Sequence, residues 1–140
     1  MYATFHLSLY ARIMKPTPDP FDLPPINATD LRNNWTRRLQ ATCNQGNRQP
    51  ITRYGRPAAV LVPTWWYRAG VLTQPDATDL LLTLYLVPSN DGRSKVAELL
   101  TRIVEHAHHI MITVEGYDIA VFAPRPWADA VALKLISGAE

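Results

Sequence analysis

The chain is poor in cysteine, in lysine and in long apolar runs, and each shortage excludes something. Cys43 is the only cysteine in 140 residues, so an internal disulfide and a cysteine-built zinc site are both out of reach. A reducing, cytoplasmic setting suits such a chain. No apolar stretch approaches the roughly 18 residues of a membrane span, and the longest candidate, Leu80 to Val87, is interrupted by Thr83 and Tyr85. Phe5 to Ile13 is fairly apolar, but it carries His6 and Arg12 and runs into proline instead of a small-residue cleavage site. It does not read as a signal peptide. Met14 is a second candidate start, and its use would remove that stretch. Wholesale disorder is excluded as well, because 47% hydrophobic against 19% charged residues is the balance of a globular chain.

What is present is self-similarity. Shifting the chain on itself by 61 residues aligns Ile26 to Ala69 with Val87 to Ala130 without a gap, and 11 of 44 positions are identical. They include Asp30/Asp91, Arg32/Arg93, Ile51-Thr52/Ile112-Thr113, Gly55/Gly116, Ala59-Val60/Ala120-Val121, Pro63/Pro124 and Trp66/Trp127. A shared order at shared separations points to a tandem repeat. Leu7-Ser8-Leu9-Tyr10 also echoes Leu82-Thr83-Leu84-Tyr85, and the proline-rich stretch Lys15 to Pro25 after it reads as an extended loop.

Each copy has the same grammar. Phe5 to Ile13 alternates apolar and polar residues with the period of a half-buried strand, and the more uniformly apolar Leu80 to Val87 reads as a more central one. A helix follows, capped by Thr29 or Asp30, with Leu31, Trp35 and Leu39 in one stripe; in the second copy Ser89 to Asp91 supply the cap, and Val96, Leu99, Leu100, Ile103 and Val104 face inward. Two short strands then flank a turn: Pro50 to Arg53 and Ala58 to Val62, then Met111 to Val114 and Ile119 to Ala123. Proline opens a last helix, Pro63 to Ala69 and Pro124 to about Ile136. The expected fold is α+β, two β-α-β-β-α units packed as an intrachain pseudo-dimer, since each alone is too small to bury much. Its divisions are a strand and proline-rich loop (1–23), a first unit (24–70), a connector and strand (71–84) and a second unit (85–140).

Charge separates the two units. From Pro24 to Gly70 there are seven arginines, Arg32, Arg37, Arg38, Arg48, Arg53, Arg56 and Arg68, against Asp30 alone, a balance of +6. From Tyr85 to Val131, four basic residues meet six acids, a balance of −2. The first unit has the footprint of a polyanion binder. On a continuous helix Arg32 and Arg38 flank the apolar stripe, and Arg32 sits near the N-terminus, where backbone N–H groups favour phosphate. Guanidinium forks suit phosphate oxygens and guanine edges.

Asn27 to Tyr67 resembles the N-terminal DNA-binding domain of the Phd/YefM antitoxin family. Ala28-Thr29-Asp30-Leu31-Arg32-Asn33-Asn34-Trp35, Leu39 and above all Ile51-Thr52-Arg53-Tyr54-Gly55-Arg56-Pro57-Ala58-Ala59-Val60-Leu61-Val62 carry the resemblance. The second copy shares Arg93, Ile112-Thr113, Gly116, Ala120-Val121 and Pro124 with that pattern, but has Val114 and Tyr117 in place of Arg53 and Arg56. The resemblance implies a small dimeric repressor that binds operator DNA, controls its own operon and engages a toxin through a C-terminal tail. It places the DNA contacts on Arg32 and Arg53. Arg38, Arg56 and Arg93 complete the candidate set. Only ten residues, Val131 to Glu140, follow the second copy, less than such a tail.

Enzyme chemistry lacks a constellation. Cys43 reads as a packed thiol opposite Val104, and His106-Ala107-His108-His109 as a polar connector without metalloprotease spacing, so neither cofactor nor metal is expected. Trp66 recurs as Trp127 and reads as core, whereas Trp65 and Tyr67 are not shared and are open to base stacking. Two functions compete. One is an antitoxin-like transcriptional repressor with operator DNA, a cognate toxin and a second copy as partners. The other is a protein-interaction module that has kept the fold and lost DNA.

Overall fold

The computed structural model describes residues 21–74 and 83–138. The strand expected over Phe5 to Ile13 lies outside the described residues, as does Leu80 to Leu82. The element order is β1 (Ile26–Asn27), α1 (Ala28–Asn33), α2 (Trp35–Gln45), β2 (Gln49–Arg53), β3 (Arg56–Val62), α3 (Thr64–Leu72), β4 (Leu84–Pro88), α4 (Ser89–Ser94), α5 (Val96–His106), β5 (His109–Val114), β6 (Tyr117–Pro124) and α6 (Arg125–Gly138). The fold is α+β, with one sheet of six strands in the order β1-β2-β3-β6-β5-β4. Strand β4 lies at the end of this order, and the strand it was expected to exceed in centrality, Phe5 to Ile13, is outside the described residues.

Side-chain alternation explains why β3, β5 and β6 read as nearly continuous apolar runs. Ala59 and Leu61 of β3, Ile110 and Ile112 of β5, and Ala120 and Phe122 of β6 pack under α1, α2 and α5. Val60, Val62, Met111, Val121 and Ala123 face the other way, against Trp66 and Tyr67 of α3 and Ala128 and Val131 of α6. Both faces of the sheet are covered, so neither face needs polar residues.

The centre of the sheet is the antiparallel pair β3–β6, where Leu61 opposes Phe122, Val60 opposes Ala123 and Val62 opposes Val121. On either side the same sequence of pairings follows, antiparallel to β2 or β5 and then parallel to β1 or β4. Helices starting at Ala28, Trp35 and Thr64 have counterparts starting at Ser89, Val96 and Arg125, each 61 positions on. The register shift between Ile51 and Thr52 likewise matches the one between Ile112 and Thr113.

The halves are interleaved. Helix α5 packs on β3 and α2 packs on β6. Trp35 at the start of α2 stacks on Phe122, with ring centroids 5.7 Å apart, and its Nε1 donates to Ser89 Oγ at 2.9 Å. Its indole also sits where a Cβ on Gly92 would fall, at 2.9 Å.

Four local expectations are corrected. The first helix is not continuous: Asn34, at φ −122° and ψ 27°, separates α1 from α2. Its cap is Asn27, whose side-chain oxygen accepts from the Asp30 N–H at 2.8 Å, in place of Thr29 or Asp30. Cys43 is exposed, because Thr42 takes the inward position after Trp35 and Leu39 and the next residue turns about 100° away. In the second half, α4 begins at Ser89 after Pro88, with no side-chain cap.

Candidate nucleic-acid interface

The two hairpin turns project from the sheet. Each is a two-residue connection with both residues at positive φ, Tyr54 (54°) and Gly55 (74°) in one, Glu115 (51°) and Gly116 (81°) in the other. Such left-handed pairs match the twist of the flanking strands, and glycine at the second position carries the conformation without a Cβ penalty. Both hairpins thus hold their tips in the same backbone form.

At the first tip, an open groove of about 380 Å³ is lined by Asn27 to Thr29 at the start of α1, by Thr52 to Gly55, and by Ala97, Leu100 and Thr101 of α5. Arg53 lies in its wall. Its Nη1 donates to Thr101 Oγ1 at 3.1 Å and is 3.5 Å from Glu105 Oε2, while the guanidinium sits 5.3 Å from the Tyr54 ring centroid. Tyr54 is 91% exposed, so the tip is open to a large partner. Arg56, two positions beyond Tyr54, is exposed and pairs with Arg53 across the hairpin.

Arg32 is exposed too, but the break at Asn34 puts it in the last turn of the six-residue α1. The expected reinforcement of its phosphate binding by a helix N-terminus is therefore overturned. Arg93, its counterpart on α4, is equally exposed and in a last turn.

Other arginines of the basic segment have structural duties. Arg38 Nη1 donates to Gln49 Oε1 at 2.9 Å, and buried Gln49 in turn donates to the carbonyl of Pro24 at 2.7 Å. Arg48 grips Asp22 with Nε and Nη2, at 3.1 and 2.9 Å, and this hydrogen bonding holds the Asp22 carboxyl below its usual range. The Arg48 guanidinium also lies over the rings of Phe21 and Trp66. Arg68 pairs with Asp118 at 3.4 Å and Arg37 with the Asn34 side chain at 2.8 Å. The structure brings Arg53 and Arg56 together at one tip, with Arg32 exposed on α1. Arg38 lies apart, half-buried in the first turn of α2 and bound to Gln49.

Sequence reasoning missed Glu105, because nothing in the spacing announces that α5 crosses to the first hairpin. It also left Tyr67 open to base stacking, whereas Tyr67 is buried and its hydroxyl lies 3.1 Å from His109 Nδ1. Burial pushes the Tyr67 hydroxyl pKa upward and, aided by the charge of His108, pushes His109 down to about 4. His108 accepts from Arg102 Nε at 3.1 Å. Among the described residues, no group of three His, Cys, Asp or Glu side chains could hold a metal ion, and no helix is long and apolar enough to cross a membrane. Trp66 is buried and Trp65 is 63% exposed.

No protein-family model, curated protein or solved structure matches the chain.

Proposed function

We propose that this chain is an antitoxin-like DNA-binding protein, a transcriptional repressor built as a tandem pair of Phd/YefM-like units. One observation carries the reading. The start of α1 and the β2–β3 turn, which lie more than 20 residues apart in sequence, line one open groove with Arg53 in its wall and Arg56 at the adjacent tip. The Phd/YefM resemblance puts a DNA contact on Arg53. The pairing symmetry about Leu61 and Phe122, with helices recurring at 61-residue intervals, supports the tandem arrangement and its intrachain pseudo-dimer. A second copy, a cognate toxin and a cytoplasmic location belong to the same proposal.

A second reading, a protein-interaction module, is favoured by the Arg53–Glu105 contact and by exposed Val114 and Tyr117 at the second tip. The contact is a weak competitor for phosphate. Glu105 is 55% exposed, and an ion pair that open to water contributes at most about 1 kcal/mol. Charge reversal separates the two functions. Arg53→Glu should abolish binding to the protein's own upstream DNA in fluorescence anisotropy while leaving the fold intact by circular dichroism. Unchanged DNA affinity in that variant would hand the case to the interaction module.

A further inference from the structure

We infer that one chain reads a single DNA half-site without internal two-fold symmetry, through the β2–β3 tip alone; this rests on the DNA-binding reading above. The two tips are alike in geometry and unlike in chemistry. Their turns share the same left-handed backbone, and their strands carry register shifts at corresponding positions. Because β3 and β6 run antiparallel, the tips lie at opposite ends of the sheet. Gly55 is six residues from Leu61 and Gly116 six from Phe122, the opposed central pair, which places the tips roughly 40 Å apart along the strands. That is close to one helical turn of DNA, the distance between half-sites that two equal tips would read.

The tips are not equal. The first presents Arg53 and Arg56. The second presents Val114, 42% exposed, Glu115 between them in the turn, and Tyr117, 75% exposed. A carboxylate on a turn facing phosphates repels them, and neither valine nor tyrosine supplies a compensating cation. The second tip thus keeps the backbone of the first and lacks its two arginines, and Arg68 at that end of the sheet is paired with Asp118. An operator with two-fold symmetry would need two chains, one for each arm.

The test is selection from a pool of short random-sequence duplexes by the full chain, followed by sedimentation of the selected duplexes with protein. The inference expects one chain per motif arm, either an asymmetric motif carrying one chain or an inverted repeat carrying two. Val114→Arg combined with Tyr117→Arg, both exposed positions, should gain about tenfold on duplexes carrying two inverted copies of that motif and little on one copy. One wild-type chain occupying both arms of an inverted repeat would overturn the inference while leaving DNA binding in place. A pool without any enriched motif would overturn the DNA-binding reading itself.

Discussion

Arg53 of the first hairpin lies 3.5 Å from Glu105 of α5, 52 residues further along the chain. The contact exists because α5 crosses the centre of the molecule to pack on β3. A basic hairpin is thereby set beside a helix that carries Glu98 and Glu105, so the segregation of charge along the sequence is not a segregation in space. Glu105 acts as a local competitor for whatever anion approaches Arg53.

Glu105→Gln should therefore raise affinity for DNA severalfold at low salt, with the advantage shrinking as salt screens both interactions. Stability should change by no more than about 0.5 kcal/mol, because the pair is exposed. Anisotropy titrations of the variant against wild type, with thermal melts alongside, check both statements.

The interleaving also makes Trp35 a joint between halves. Gly92→Ala would place a Cβ 2.9 Å from the Trp35 ring and 3.3 Å from Ile112 Cδ1, so the buried indole would have to shift. We expect destabilisation of about 1–3 kcal/mol, the usual range for overpacking. Chemical denaturation should record it as a single transition shifted to lower denaturant, because both halves share one core.

His109 predicts a pH dependence. Its folded pKa of about 4 is below the ordinary 6.5, so the unfolded chain takes up a proton that the folded chain refuses. The contribution of neutral His109 is complete above pH 6.5, declines as pH falls through the interval to about 4, and is gone below it, a loss of about 3 kcal/mol. His109→Gln should flatten that part of the curve. Melting temperatures of both proteins across the interval separate this effect from carboxylate titration, which the two share.

Ala107 closes α5 in the left-handed conformation, at φ 55°, with its N–H donating to the Arg102 carbonyl. The corresponding position after α2 is Gly46, at φ 74°. Ala107→Gly should stabilise the protein by about 0.5–1 kcal/mol by relieving the Cβ. A rise in melting temperature is the expected result, opposite in sign to Gly92→Ala.

Much of the architecture is legible in the sequence because it is written in local patterns. The hairpins follow from Gly55 and Gly116 between apolar runs, and the last helices from the prolines at 63 and 124. The helix break at Asn34 is not legible, since Leu31, Trp35 and Leu39 keep a regular four-residue spacing across it. Burial of Tyr67 escapes the repeat comparison because its counterpart is Ala128, and its partner His109 comes from the other half. Arg38 and Arg48 look like free charge in a count, yet they are held by Gln49 and Asp22 through contacts between residues distant in sequence. At the candidate site, exposure of Arg32 and Arg56 is readable from the helix and hairpin patterns. The approach of Glu105 is set by helix crossing, which no local pattern encodes.

The most direct measurement is fluorescence anisotropy of the protein with its own upstream DNA and a scrambled duplex, across a salt series. The account predicts tighter binding to the upstream DNA, with log affinity falling steeply against log salt as arginines release counterions. Equal, weak binding to both duplexes with a shallow slope would contradict it.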